Sequence, residues 1–431
     1  MSTYSLITST AAQTPALSAQ EFLWRPLGKG LESSFHTSLG PRAPELGPLP
    51  ASNADLVSLA ILVYLVDRTA PRPRGTGLAT RELELSIPVA DPGAWNVAGP
   101  ALEDLLRFLS GDEWRLTFNQ GAAQTNTTSA TPAQTSLVAL LSGGADSLAG
   151  ALLGRQDGVT PALLSHWDWT IISGFQSRLV KRLDQLWGIE IDHVRVQVGR
   201  RKTQLGRVDD FPEEGSSRSR SFLFIALGLA AAAVRGADLV MAENGWASIN
   251  PPLAGERRGS FSTRTTNPAF LDGLQQTLAE VKINTSIINP FEGLTKGDVF
   301  VKVRELLGSD AASSLLSASH SCAKPIAGHF HTPVRSHCGL CFGCLLRRAA
   351  FIAADLSDQT PYVDELLSGA KRTKYLSPNQ LRLYETVRYA ASKGFSPGDI
   401  IELGLPERIP TGEALALAQR GLDELAQVQI A

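Results

Sequence analysis

Residues 137–153 read LVALLSGGADSLAGALL. The stretch begins with five apolar residues, as expected of a buried strand, and ends in an apolar segment that suits a helix. Gly143 and Gly144 lie between them, and glycine permits positive φ and close approach of a ligand to the backbone. A helix that starts directly after such a turn directs free N–H groups at an anion. We therefore predict a phosphate-binding loop formed by Ser142, Gly143, Gly144, Ala145, Asp146 and Ser147.

The polar side chains of this loop indicate a nucleotide ligand. Ser142 and Ser147 supply hydroxyl donors. Asp146 would repel phosphate by itself, so we expect it either to hold Mg²⁺ or to cap the helix. The Gly-Lys-Ser/Thr sequence of a Walker A loop is missing, so γ-phosphate hydrolysis of that type is not predicted. An ordinary strand–turn–helix is the alternative interpretation, and the complete hexapeptide favours function over it.

Strands and helices alternate on the C-terminal side of the loop. Strands are predicted at 161–164, 193–198 and 238–242, and helices at 176–186 and 222–234. This alternation indicates a parallel sheet with helices on both faces. Ligands of such sheets bind at the carboxyl ends of the strands. We therefore predict that two residues after the second strand contact the nucleotide, Ser165 and His166.

Three basic residues are predicted to act with Asp146 in catalysis. Arg218 and Arg220 precede the apolar helix at 222–234. At this position each guanidinium group can donate two hydrogen bonds to the oxygens of one phosphate. Lys296 stands at a predicted helix start, where its ammonium group can neutralise the charge of a bound phosphate group. The alternative interpretation of each is a charged residue in a solvent-exposed loop.

The length and composition of the chain indicate its domains and limit its partners and location. The chain has 431 residues, which suits two or three domains. We predict an N-terminal α+β domain at 1–120, a polar linker at 121–136, a nucleotide-binding domain at 137–314, a cysteine segment at 315–352 and a helical region at 353–431. A net charge of −2 disfavours nucleic acid as a primary partner. With no signal-peptide pattern and no membrane-length apolar run, we expect a cytoplasmic protein that does not enter a membrane.

All four cysteines of the chain lie in one short stretch, at Cys322, Cys338, Cys341 and Cys344. Four thiolates are the set that Zn²⁺ takes in a closed structural site, so we predict zinc. An iron–sulfur cluster is the alternative, and disulfides are disfavoured by a reducing cytosol. Four histidines lie nearby and are interpreted as loop residues, although any one has the chemistry to replace a thiolate: His320, His329, His331 and His337.

Ser-Gly-Gly-x-Asp-Ser after a first strand resembles the signature of the PP-loop ATP pyrophosphatases. The resemblance implies a parallel-sheet core of the adenine nucleotide α-hydrolase-like, Rossmann-like fold. It also implies binding of the β,γ-pyrophosphate of ATP and transfer of AMP to a carbonyl or carboxylate oxygen. Ammonia, an amine or sulfur then displaces AMP.

The cysteine segment narrows the resemblance. Cys338-Gly339-x-Cys341-x-x-Cys344-Leu345-x-Arg347-x-x-x-Phe351 is similar to the zinc segment of the QueC family, the 7-cyano-7-deazaguanine synthases. Gly293-Leu294-Thr295-Lys296 resembles the Leu-Thr-Lys helix start of that family. The resemblance covers about 137–352, half of the chain, and implies a 7-carboxy-7-deazaguanine-type substrate.

The chain also departs from those compact synthases. It has a leader at 1–135 and a helical tail, and Glu243-Asn244-Gly245-Trp246 replaces the family's Gly-Tyr-Pro-Asp-Cys-type segment. We predict substrate contacts from Glu243, Asn244 and, in a later threonine-rich run, Arg264. The pattern is more similar to the QatC-type QueC-like proteins of bacterial antiviral defence systems. That similarity implies amide formation with an amine on a partner protein from the same operon. A free synthase that uses ammonia and a non-catalytic ATP-binding scaffold of a defence complex stay open.

Overall fold

The computed structural model describes residues 3–9, 15, 17–25, 32–40, 43–72, 80–121, 132–155, 159–168, 170–202, 211–215, 217–253, 264–322, 336–376 and 378–430. Most of the predicted linker, His329 and His331 lie outside these residues.

The described residues form ten strands and fifteen α-helices. The first half contains β1 (Thr3–Thr8), β2 (Glu21–Trp24), β3 (Phe35–Thr37), α1 (Ala51–Thr69), β4 (Glu82–Val89), α2 (Pro92–Ser110), β5 (Glu113–Gln120), β6 (Leu137–Leu140), α3 (Ala145–Leu153), β7 (Ala162–Trp167), α4 (Thr170–Trp187) and β8 (His193–Arg200). The second half contains α5 (Arg220–Arg235), β9 (Asp238–Val240), α6 (Gly245–Ile249), α7 (Pro268–Glu280), β10 (Ile287–Ile288), α8 (Lys296–Leu307), α9 (Ser309–Ser317), α10 (Phe342–Ala353), α11 (Val363–Leu366), α12 (Gly369–Tyr375), α13 (Pro378–Lys393), α14 (Pro397–Ile401) and α15 (Thr411–Ala426).

The N-terminal sheet has four strands in the order β2-β1-β4-β5. In β4, the side chains of Leu83, Leu85, Ile87 and Val89 alternate into the core. Every pair in this sheet is parallel, and α2 makes the crossover from β4 to β5 that a parallel pair requires. The N-terminal unit is therefore an α/β arrangement, which corrects the α+β detail of the prediction. The difference comes from β1 and β2, which lie in a region too irregular in pattern to be predicted as paired strands.

The second sheet has six strands in the order β10-β9-β6-β7-β8-β3. Its pairs are parallel except for β3, which runs antiparallel to β8 at the edge. This confirms the predicted α/β fold with a parallel sheet. Strand order reverses at β6, which pairs with β7 on one side and β9 on the other. The loop after β6 thus lies at the topological switch point, where such sheets bind their ligands.

Helices α1 and α5 join the two sheets through one hydrophobic core. Both are apolar on nearly every face, as expected of helices buried on all sides. Gly228 lets α5 pack closely against β9, because a Cβ at this position would lie 2.6 Å from Leu239 Cδ1. The N-terminal unit and the predicted nucleotide-binding domain are therefore packed together and not held by a linker alone.

The C-terminal helix α15 packs on α6 at the end of β9. Trp246 is fully buried, and its Nε1 donates a hydrogen bond of 2.8 Å to the Ala418 carbonyl. A Cβ at Gly421 would overlap the Trp246 ring, so glycine lets the helix approach closely. No helix in the described residues is both long and apolar enough to cross a membrane.

Candidate functional site

The predicted phosphate loop lies between β6 and α3. Gly143 has φ 96°, which favours glycine, and α3 begins directly after Gly144. Within the described residues, no side chain caps the first turn of α3. Ser142 Oγ accepts the Gly144 N–H at 3.3 Å and lies 3.1 Å from Ser147 Oγ. The arrangement leaves a helix N-terminus and two hydroxyl groups beside the loop, which suits an anion.

Neighbouring segments hold the loop from behind. Gln176 of α4 donates to the carbonyls of Ser142, at 3.4 Å, and His166, at 3.0 Å. On the other side, the His320 N–H donates to the Gly143 carbonyl at 2.8 Å. The segment that leads to Cys322 is therefore attached directly to the phosphate loop.

Two cavities flank the loop, and both are lined by Ser142, Gly144, Thr265 and Ser321. The first has a volume of about 350 Å³ and lies on the side of β9 and α8. The second has a volume of about 390 Å³ and lies on the side of α4 and α5. Between them they can hold a nucleotide and a second small molecule on opposite sides of the loop.

The first cavity brings four of the predicted residues together. Lys296 Nζ forms an ion pair with Asp146, and both side chains are mostly buried. Asn244 Nδ2 donates to Glu243 Oε1 at 3.1 Å and lies 3.5 Å from Asp146 Oδ1. Burial, followed by the adjoining Asp146 carboxylate, raises the pKa of Glu243 well above its usual range. An ammonium group and two crowded carboxyl groups therefore face one space.

The turn at Gly245 and the turn at residues 291–295 lie against each other, which places Glu243 and Asn244 opposite Lys296. The Gly245 N–H donates to the carbonyls of Phe291, at 2.9 Å, and Leu294, at 2.7 Å. A Cβ at Gly245 would overlap the Glu292 carbonyl, so a larger residue would separate the turns. Thr295 caps α8 in a capping box with Asp298, as expected of its sequence. Lys296 is thereby presented from the first position of a well-capped helix.

The second cavity contains the two predicted arginines and an apolar wall. Arg218 and Arg220 line it with Phe175 and Phe224. Arg220 Nε lies 3.5 Å from His166 Nδ1, and its Nη2 lies 4.0 Å from Asp168. This side of the loop suits a flat apolar ring that carries negative charge.

His166 lies behind Arg220 as a neutral ring. Its Nε2 is 3.0 Å from the Val198 carbonyl, so Nε2 carries the proton and Nδ1 accepts from Arg220. Burial, followed by the charge of Arg220, lowers the pKa of His166 to about 4. Tyr64 of α1 donates to Asp168 at 3.1 Å, which completes a chain of contacts from the N-terminal unit to Arg220.

The four cysteines meet as predicted. Their Sγ atoms all lie within 4.8 Å of one another. The separations are 3.4 Å for Cys341–Cys344, 3.7 Å for Cys338–Cys344 and 3.9 Å for Cys322–Cys341. Zn–S bonds of about 2.3 Å in a tetrahedron place sulfur atoms about 3.8 Å apart, so the set fits a zinc ion. The Cys338 and Cys341 N–H groups also donate to neighbouring sulfurs, at 3.3 and 3.1 Å.

The comparisons with known proteins agree with the resemblance found in the sequence. Over 245 residues the chain is 28% identical to 7-cyano-7-deazaguanine synthase 1 of Sphingopyxis alaskensis, a match that covers 52% of this chain and 97% of that protein. It is equally 28% identical over 245 residues to 7-cyano-7-deazaguanine synthase of Rhizorhabdus wittichii, with 52% and 94% covered. No family model and no solved structure matches the chain. Over about half of its length, the chain is similar to 7-cyano-7-deazaguanine synthases, the QueC family.

Three residues predicted to contact ligands lie outside both cavities of this QueC-like protein. Ser165 is fully buried and donates to the Leu141 carbonyl at 2.9 Å, and His166 lies behind Arg220. Both belong to β7, which extends to Trp167, past the predicted strand end. Arg264 stacks its guanidinium 4.4 Å from the centre of the Phe108 ring, toward α2. Their observed contacts are structural, because β7 is longer than its pattern indicated and α2 offers Arg264 an aromatic partner.

Asp67 supports the second cavity, although its sequence pattern did not indicate a site residue. Asp67 Oδ2 accepts the N–H groups of Arg218, at 2.8 Å, and Ser219, at 2.9 Å, and thus holds the turn that carries both arginines. The signal was present, since Asp67 follows an apolar helical run and a buried charge requires partners.

Proposed function

We propose that this QueC-like protein uses ATP to adenylate a carboxylate of a 7-carboxy-7-deazaguanine-type substrate and then forms an amide with an amine. The first cavity carries the proposal, because the N-terminus of α3, Lys296 and two carboxyl groups line it together. The names of the two relatives support the class of substrate. The chain covers nearly the whole length of both relatives.

The loop and Lys296 bind the pyrophosphate portion of ATP in this proposal. The first-turn N–H groups of α3 and the hydroxyls of Ser142 and Ser147 orient the phosphate oxygens. Lys296 neutralises the negative charge that gathers on pyrophosphate as it leaves. No covalent nucleophile on the protein is required, because positioning and charge stabilisation carry the reaction.

Asp146 and Glu243 are the residues that would hold Mg²⁺. Both carboxyl groups line the first cavity, and Asn244 Nδ2 contacts the two of them, at 3.1 Å for Glu243 and 3.5 Å for Asp146. Burial, followed by the Asp146 carboxylate, raises the pKa of Glu243. A divalent cation relieves such crowding and prefers carboxylate and phosphate oxygens. When bound, magnesium supplies charge shielding for the phosphates.

The second cavity receives the carboxylated ring. Arg218 and Arg220 attract the carboxylate, and Phe175 and Phe224 contact the flat ring. A carboxylate oxygen attacks the α-phosphorus of ATP, the bond to the bridging oxygen breaks, and pyrophosphate leaves. An amine then attacks the carbonyl carbon, loses a proton and expels AMP, which leaves an amide.

We propose a partner protein as the source of the amine, in the context of a bacterial antiviral defence system. Support comes from the half of the chain outside the aligned region, which gives the enzyme surfaces beyond those of the two relatives. The net charge of −2 favours a protein over RNA, because an RNA partner calls for a basic surface.

A free 7-cyano-7-deazaguanine synthase that uses ammonia is the second candidate, and the names of both relatives favour it. A scaffold that binds ATP without cleaving it is the third. The three differ in the products that they form from ATP and in the fate of the carboxylate.

One experiment separates the candidates. The enzyme is incubated with ATP, Mg²⁺, an ammonium salt and 7-carboxy-7-deazaguanine, with and without the proteins of the same operon, and each protein is weighed intact. We expect AMP, pyrophosphate and a mass gain on one partner. Nitrile formation from ammonia with all partners unchanged establishes the free synthase, unchanged ATP establishes the scaffold, and ADP with phosphate contradicts adenylation.

A further inference from the structure

The C-terminal helix α15 lies against the turn that carries Lys296. Glu424 of this helix accepts a hydrogen bond from the Thr295 hydroxyl through Oε1 and from the Gly297 N–H through Oε2, the latter at 3.1 Å. These two residues immediately precede and follow Lys296. One carboxylate from the end of the chain therefore holds both sides of the residue that faces Asp146.

The contact of Glu424 with the start of α8 requires glycine at position 297. A Cβ at Gly297 would overlap the Glu424 carboxylate, and it would lie 2.8 Å from Ala353 Cβ. The approach of α15 thus depends on Gly297 at the helix start, as it depends on Gly421 at Trp246. Gly297 adjoins Lys296, and Trp246, which Gly421 contacts, adjoins Ala247; Lys296 and Ala247 both line the first cavity.

Two arginines extend the contact along the same segment. Arg408 donates to both oxygens of Glu292, at 2.5 and 2.8 Å, and Arg420 Nη2 donates to the Gly293 carbonyl at 3.0 Å. Arg420 also lies 3.6 Å from Asp298. Residues 408–424 therefore contact this segment on both sides of Lys296, at Glu292, Gly293, Thr295, Gly297 and Asp298.

The contacts of Glu424 should stabilise the turn at Lys296 more than the contacts of the two arginines do. Arg408 and Arg420 are about half exposed, where ion pairs stabilise little. Glu424 is partly buried, and its carboxylate lies at the positive end of the α8 dipole. Burial raises the pKa of Glu424, and the hydrogen bonds from Thr295 and Gly297 oppose that rise. Removal of the carboxylate leaves the Lys296 turn without its support from α15.

We propose that α15 contributes to the proposed ATP site and that Glu424 is the positioning residue for Lys296. The inference rests on the proposed function of Lys296 at the pyrophosphate. It assigns the C-terminal helix a role in the geometry of the reaction, separate from any role in binding a partner.

A double-mutant cycle tests the proposal. Rates of AMP formation and ATP affinities are measured for wild type, Glu424→Ala, Lys296→Met and the double variant. We expect Glu424→Ala to lower kcat/KM for ATP by about ten- to a hundredfold, as a misplaced group does. We expect it to have less than about a twofold effect once Lys296 is methionine, because contacting residues that act as a unit are not additive. An equal loss in both backgrounds overturns the proposal.

Two further variants control for folding. Asp423→Ala removes a neighbouring exposed acid of the same helix, which bonds only to Gln419 among the contacts resolved, and should match wild type. If Glu424→Ala does not fold, Glu424→Gln keeps the side-chain volume and takes its place in the cycle. If the wild-type protein forms no AMP, the proposed function fails. The cycle is then evaluated from ATP affinities alone. An equal effect of Glu424→Ala on ATP affinity in both backgrounds again overturns the inference.

Discussion

Asp67 of α1 caps α5 from a distant part of the chain, with its Oδ2 accepting the Ser219 N–H at 2.9 Å and the Ser219 hydroxyl at 2.8 Å. Ser219 is the N-cap residue of α5, yet its own side chain makes no capping hydrogen bond. The other oxygen of Asp67 pairs with Arg81 at 2.6 Å. The N-terminal unit therefore positions the turn from which Arg218 and Arg220 enter the second cavity.

Asp67→Asn should lower both stability and activity. Asp67 and Arg81 are buried, and removal of one partner of a buried ion pair costs about 3–5 kcal/mol. Asp104→Asn is the matched control, because Asp104 pairs with Arg107 on the surface, where the loss should stay below about 1 kcal/mol. Urea unfolding measures both variants. Equal losses would show that the buried network does not support the arginine turn.

Asp146→Asn should abolish AMP formation while the fold is kept. The substitution preserves the shape of the side chain but removes the charge that faces Lys296 and Glu243. We expect a loss of at least about a hundredfold in turnover, the usual effect of removing one electrostatic group from a reaction site. Asp310→Asn, at an exposed position in the first turn of α9, should leave the rate unchanged. A fully active Asp146→Asn would reduce Asp146 to a structural residue.

The purified protein should contain about one zinc ion per chain and show no visible colour. Cys341→Ser should lower the zinc content and the melting temperature together, because metal binding contributes to the free energy of folding. Metal analysis and thermal unfolding, before and after a chelator and after zinc is added back, test this. Absorbance at roughly 400 nm would instead assign an iron–sulfur cluster.

Stability should fall between pH 7 and pH 5, in part through His166. Its folded-state pKa is lowered to about 4 by burial and by Arg220, so the unfolded chain takes up a proton first as the pH falls. The contribution is fully present above the unfolded pKa of about 6.5 and is lost toward pH 4, with a loss of about 2 kcal/mol at pH 5. His166→Gln should reduce the pH dependence of the urea midpoint by that share. An unchanged pH dependence would mean that His166 does not stay neutral in the fold.

Patterns within short segments were enough for the fold class and for the loop. The apolar strand, the two glycines and the helix of residues 137–153 are encoded by neighbours in sequence, and the structure shows each of them. The same holds for the cysteine segment, since Cys338, Cys341 and Cys344 are brought near one another by a single turn and the start of α10. The helix start at Lys296 was likewise predictable, because Thr295 and Asp298 form a local capping box.

Contacts between distant segments were decided only by the tertiary structure. Asp67 at Ser219 and Glu424 at Gly297 join residues far apart in the chain, and no local spacing indicates which helix a buried carboxylate will reach. The contact of Arg264 with the Phe108 ring could not be predicted for the same reason, because that ring lies on another helix. Propensity and periodicity act over a few residues, whereas the partner of a buried charge depends on how the sheets and helices pack. Local sequence therefore determined the conformation of the loop and the polar groups that it offers, whereas the packing of α1 and α15 determined how the arginine turn and Lys296 are held.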